Sequence, residues 1–195
     1  MAVRRAILTA AIVTEGMLVV LSLGIGAVCA VPLTLNFSWR AVSLGVCMAL
    51  PLLFVNHILW RRSLARPTSV YARFSREVIV PLCQEVTVSM ALVIAILSGF
   101  AEELLFRGAL NTVLEQRAGV LVAALVTSAL FAAVHFIGLF KRFGGMIPLY
   151  TAVGLYLWLL HYELNSLTAV MVTHGVYNFV AIVLIRYTVR RQKDA

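Results

Sequence analysis

Apolar runs at about residues 7–31, 41–60, 82–101, 118–139, 144–160 and 165–187 leave this chain few ways to fold. Each is close to the ~20 residues that carry a helix across ~30 Å of hydrocarbon, where the backbone must satisfy its own hydrogen bonds. Hydrophobic residues make up 62% of the 195 and charged residues 12%; an ordinary soluble domain is about 25% charged. The expected fold is all-α, a polytopic transmembrane helical bundle of about six spans, which leaves no room for a separate soluble domain.

A net charge of +8 would suggest nucleic acid in a soluble protein. Here its placement says otherwise. Arg4 and Arg5 precede the first run; Arg61, Arg62, Arg66, Arg73 and Arg76 lie between the second and third; Lys141 and Arg142 lie between the fourth and fifth; Arg190, Arg191 and Lys193 follow the sixth. Apart from Arg107, which belongs to the motif considered below, the alternate connections hold only Arg40 and Arg117. That alternation is the positive-inside pattern with both termini cytoplasmic, so the charge reports topology and no nucleic-acid partner is expected. The first run is longer than a ~7–15 residue signal core and contains Glu15, so a retained span is expected rather than a cleaved signal. Glu15 and Glu85 are single, near helix ends, and read as solvated or snorkelling. Cys29, Cys47 and Cys83 are odd in number and widely spaced, with no disulfide framework or CxxC pair.

Polar chemistry gathers after residue 85. In "FAEELLFRGAL", residues 100–110, two carboxylates and an arginine sit in lipid-like sequence, where a charge at mid-bilayer costs at least ~2.5 kcal/mol. The apolar pattern continues through Leu104, Leu105, Phe106, Leu110 and Val113, so the helix is expected to run to about Gln116. Glu103 and Arg107 are then i, i+4 on one face and can pair, while Glu102 is rotated by about 100° and left freer. His135, in "FAAVHF", lies about as far after the turn at 117–119 as Glu102 lies before it. At ~1.5 Å per residue, antiparallel helices set the two at similar depth. Phe131 shares the face of His135, and His174 and Asn178, in "THGVYN", are i, i+4 on the last span. A lone intramembrane histidine is often just a contact between helices. Two acids, an arginine, two histidines and an asparagine at matching depth on three spans are not explained that way.

These residues carry a resemblance. "EELLFRG", "FAAVH" and "HGVYN" resemble the EExxxR, FxxxH and HxxxN motifs of the CAAX prenyl protease and bacteriocin-processing (CPBP, or Abi) family of intramembrane proteases. The likeness covers about residues 82–185, is closest in size to the compact bacterial members, and rests on three motifs in order. It implies a protease core at 82–187 with the site buried among the last four spans. Residues 1–81 would add two accessory helices and a basic interfacial segment, and 188–195 a basic cytoplasmic tail. The implied activity is endopeptidase cleavage of a membrane-associated peptide or protein, in the bilayer of a bacterial cytoplasmic membrane.

Peptide hydrolysis needs an activated water, a proton donor for the leaving amine and stabilisation of the oxyanion. The family pattern assigns the base to Glu102, with His135 sharing the water. It leaves Glu103 and Arg107 as a brace and gives oxyanion donation to His174 and Asn178. No cofactor is expected to be required. The metal-dependent alternative would place zinc on Glu102, His135 and His174, although HExxH is absent. Two other classes share some of these features: a non-catalytic scaffold or bacteriocin-immunity protein of the same fold, and an ion or proton transporter. A transporter should carry polar residues along a path to both faces, whereas spans one, two and five are nearly bare.

Overall fold

The computed structural model describes residues 1–193; the last two residues of the basic tail expected at 188–195 lie outside them. Among the described residues every regular element is helical. Five helices are long and apolar enough to cross a bilayer. They are α1 (Ala2–Cys29), α2 (Trp39–Ala65), an unbroken helix over Val88–Ala118, one over Phe140–Leu164, and the greater part of α10 (Leu167–Lys193). The helix that carries "EELLFRG" therefore continues past the motif, as its apolar pattern requires. It consists of α5 (Val88–Glu103), a π-helical stretch over Leu104–Leu110 and α6 (Asn111–Ala118).

The apolar run at 118–139 behaves differently from a full span. Its helix, α7 (Val120–Val134), has 15 residues, which is about 22 Å of rise and short of the hydrocarbon thickness. It stops at His135, whose ring Nδ1 lies 2.7 Å from the Phe131 carbonyl oxygen. A turn through Gly138, at φ 78°, leads into α8 (Phe140–Phe143), a single 3-10 turn over Gly144–Met146, and α9 (Ile147–Leu164). The basic segment after α2 folds into a short helical arm of α3 (Val70–Phe74), a π-helical stretch over Ser75–Ile79 and α4 (Val80–Glu85). Extended backbone at Val86 and a Thr87 cap, whose Oγ1 accepts from Met90 N at 3.2 Å, then start α5 afresh.

Small residues set the distances between the central helices, because between helices in lipid close packing replaces the hydrophobic drive. A Cβ on Gly99 of α5 would lie 2.7 Å from the Met171 carbonyl oxygen and 2.8 Å from Gly175 N of α10. The two backbones therefore touch where the motifs lie. A Cβ on Gly45 of α2 would meet the Ala169 carbonyl oxygen at 2.6 Å, and the Thr173 hydroxyl donates to the Gly45 carbonyl at 3.1 Å. Gly154 of α9 sits 3.0 Å, at its would-be Cβ, from Ser128 of α7.

α1 runs alongside α5 in the same direction. Ile7 and Leu8 pack near Met90 and Ala91, Leu18 packs near Leu105 and Phe106, and Arg4 pairs with Glu85 at 3.7 Å. Ile7 and Leu8 also join Phe179, Ile182 and Val183 of α10, so the N-terminus and the far half of α10 share one end of the bundle. The helical arm lies at that end too, where Arg142 and Glu77 pair at 2.6 Å.

Candidate active site

From Ala101 to Ala109 nine consecutive residues are buried. A lipid-facing helix would expose every third or fourth of them, so this stretch is enclosed on all sides. The π turn opens directly after Glu103 and contains Arg107. Such widened turns recur at functional sites, since they re-aim side chains relative to a regular helix. Glu103 and Arg107 are both 0% exposed. Arg107 Nη1 donates to Glu103 Oε1 at 3.1 Å and Nη2 to the Gly154 carbonyl at 2.8 Å. Its guanidinium carbon lies 4.7 Å from the Phe131 ring centre, a cation-π contact in a desolvated setting.

Glu103 has a second partner that the i, i+4 pattern does not disclose. His174 Nδ1 lies 2.7 Å from the same Oε1. With Glu103 ionised against Arg107, the Nδ1–H of His174 donates to it, and only Nε2 is left for other work. Glu103 is thus shared between the arginine of its own helix and the histidine of α10. Glu103 Oε2 and Arg107 Nε have no partner among the described residues.

Glu102 faces the other way, as the 100° rotation requires. Its Oε2 lies 3.5 Å from His135 Nε2, and the His135 side chain is 28% exposed against 11% for that of Glu102. Phe131 stands among the groups as an apolar partition, its ring centre 4.6 Å from His135 and 5.8 Å from His174. Asn178, one turn after His174, donates from Nδ2 to Ser98 Oγ at 2.8 Å. The structure therefore brings Glu102, Glu103, Arg107, His135, His174 and Asn178 into one cluster at the α5, α7 and α10 crossing.

A cavity of about 330 Å³ leads to this cluster and is walled by His135, His174 and Asn178. Glu102 stands one layer behind His135 rather than on the wall itself. The remaining lining is mostly apolar. Much of it comes from α2 and the helical arm, including Leu52, Asn56, Tyr71, Phe74 and Ile79. The cavity lies in the half of the bundle that carries the basic loops.

Several participants left little trace in the sequence. Ser98 had one available signal, since it sits four residues before Glu102 on the same helix. Gly154 acts through a carbonyl, which no side-chain pattern reveals. Glu15 departs from the helix-end reading: it lies at the middle of α1, and its Oε2 is buried without a partner among the described residues. Arg186, buried near the end of α10, donates from Nη1 to the carbonyls of Gln84 at 2.9 Å and Val86 at 2.5 Å. It thereby satisfies the backbone where α4 breaks before α5.

A zinc site of the His2Glu kind would need Glu102, His135 and His174 to converge on one point. Among the described residues no three His, Cys, Asp or Glu side chains are arranged to hold a metal ion. As placed, the three do not fit one, and no step below is routed through a metal.

Compared with known families, residues 84–180 match the family described as type II CAAX prenyl endopeptidase Rce1-like. Comparisons with curated proteins and with solved structures give no match.

Proposed function

Because the chain belongs to the type II CAAX prenyl endopeptidase Rce1-like family, we propose that it is an intramembrane endopeptidase acting on a membrane-associated peptide or protein. The observation that carries this reading is the unequal setting of two adjacent glutamates. Glu103 is dry and doubly engaged, whereas Glu102 is left facing His135 behind the cavity wall. Two neighbouring acids in contrasting surroundings are how one site separates a base from a support.

In the proposed reaction a water hydrogen-bonded to both Glu102 and His135 loses a proton to Glu102 as it adds to the scissile carbonyl. The Phe131 carbonyl, by engaging Nδ1, fixes the His135 ring so that Nε2 faces the glutamate. His174, oriented by Glu103, presents Nε2 to the cavity. When that nitrogen is protonated it stabilises the oxyanion, and its proton goes to the departing amine as the carbon–nitrogen bond breaks. The second amide proton of Asn178 is a further donor, its carboxamide being held by Ser98. Glu103, Arg107 and the Gly154 carbonyl hold the frame.

We place the protein in a bacterial cytoplasmic membrane with both termini in the cytoplasm, since the basic loops share the end that carries the N-terminus. The substrate would then enter the cavity from the cytoplasmic half, past α2 and the helical arm. A reporter fused after Ala195 should be active only in its cytoplasmic form; activity only outside the cytoplasm would overturn the orientation.

The activity test uses detergent-solubilised protein and two quenched fluorescent peptides. Each ends in cysteine, two aliphatic residues and a terminal residue; one carries a farnesyl group on the cysteine and the other is unmodified. Membranes from cells with wild type or Glu102→Ala protein are compared in parallel for fragments that vanish. Wild type should cleave at least one peptide and Glu102→Ala neither, with no loss of folded protein. Cleavage of neither peptide by wild type, with no fragment dependent on Glu102, would contradict the reading. A zinc chelator in the same assay should leave the rate within about two-fold; loss restored by added zinc would establish the metal-dependent alternative on Glu102, His135 and His174.

A further inference from the structure

The donors named so far are heavily committed. His135 spends Nδ1 on the Phe131 carbonyl and turns Nε2 to Glu102; His174 spends Nδ1 on Glu103; Asn178 spends one amide proton on Ser98. An oxyanion formed in the cavity is left with His174 Nε2 and one proton of Asn178, both on α10. Both approach from the same helix, whereas an oxyanion is best held by donors that converge from different directions.

Tyr150 supplies a donor from a different helix. It stands on α9, lines the same cavity as His135, His174 and Asn178, and its ring centre is 5.1 Å from that of His135. The ring is held by Phe136 at 4.9 Å edge-on and by Phe74 at 6.3 Å. Its depth is set one turn further along α9, where the Gly154 carbonyl receives Arg107. The Tyr71 hydroxyl, on the same cavity, is already given to Asn56 Oδ1 at 3.3 Å. The Tyr150 hydroxyl has no hydrogen-bond partner among the described residues, although its ring is fixed on three sides. A phenol with an immobilised ring and an unpartnered hydroxyl, on the wall of a mostly apolar cavity, is a preorganised donor.

We propose that Tyr150 is a further catalytic residue, whose hydroxyl donates a hydrogen bond to the substrate carbonyl oxygen and holds it as negative charge develops there. The proton stays on the tyrosine; the proton that leaves with the amine still comes from His174. This role rests on the endopeptidase reading, so the test is arranged to separate the two.

Tyr150→Phe keeps the ring and its contacts with Phe74, Phe136 and His135 and deletes only the hydroxyl. With the two quenched peptides as probes, kcat should fall by about 10²-fold while KM and the melting temperature stay near wild type. Glu102→Gln is measured beside it. If Glu102→Gln is inert and Tyr150→Phe turns over within two-fold of wild type, the role of Tyr150 is wrong and the endopeptidase reading stands. A Tyr150→Phe protein that loses melting temperature along with rate would make the hydroxyl structural and overturn the role. If wild type cleaves neither peptide and no membrane fragment depends on Glu102, or if Glu102→Gln cleaves normally, reading and role fall together.

Discussion

Glu102 and Glu103 are neighbours in the chain and sit in different media. On the Glu103 side the cluster is sealed: carboxylate, guanidinium, imidazole and a backbone carbonyl are bonded to one another beneath the Phe131 ring. On the Glu102 side the only close partner among the described residues is His135, on the wall of a cavity. A buried ion pair is weak evidence of stability, because desolvation consumes much of its attraction, and here Glu103 Oε2 and Arg107 Nε are left unpartnered. The sealed side is better understood as orientation: it fixes His174 and, through Gly154, the helix that carries Tyr150. On the other side Glu102 Oε2 is buried without a hydrogen-bond partner among the described residues, behind a histidine that lines the cavity.

That contrast orders the expected effects. Breaking the sealed side should cost most in stability: Arg107→Ala strands Glu103 in a dry setting, at about 3–5 kcal/mol, and melting in detergent should show it. Replacing both partners together, as Glu103→Leu with Arg107→Met, should recover part of that loss and leave the protein inert. Recovery of cleavage would mean that the sealed side does not orient the site. Gly99→Ala should cost about 1–3 kcal/mol, since its Cβ would press on the α10 backbone and pull Glu103 away from His174. An unchanged melting temperature would show that the helices separate more easily than their contact implies. Ser98→Ala should be the mildest loss, about 0.5–1.5 kcal/mol for one hydrogen bond, with a fall in kcat as Asn178 loses its orientation. Glu15→Leu should run the other way and raise the melting temperature, because an unpartnered mid-span carboxyl is replaced by an apolar side chain.

The helical class, the carriage of the motif helix beyond Glu102, and the pairing of Glu103 with Arg107 were legible in the sequence. Each depends on periodicity along a single helix. The facing of Glu102 and His135 was legible too, because one turn joins two antiparallel helices and counting residues from it gives depth. What escaped depends on contacts between helices distant in the chain. The bond from His174 to Glu103 follows from the close approach at Gly99 and Gly175, which apolar patterning does not report. The early end of α7 is followed by a turn through Gly138 in left-handed backbone, where hydropathy alone saw a full-length run. The division into accessory helices and core also blurs, since α2 and the helical arm supply much of the cavity wall. Glu15 was misplaced because the first span begins earlier than its apolar run, which moves that residue to mid-helix.

The account turns on Glu102 being base and Glu103 being frame. The most direct measurement is the cleavage rate and melting temperature of Glu102→Gln and Glu103→Gln, side by side in one detergent. Glu102→Gln should lose about 10²- to 10⁴-fold in kcat and melt at or above wild type. Glu103→Gln should melt well below wild type, its amide being a poorer partner for Arg107 and His174. A Glu102→Gln protein that melts early, beside a Glu103→Gln protein that is well folded and inert, would contradict the assignment and exchange the two roles.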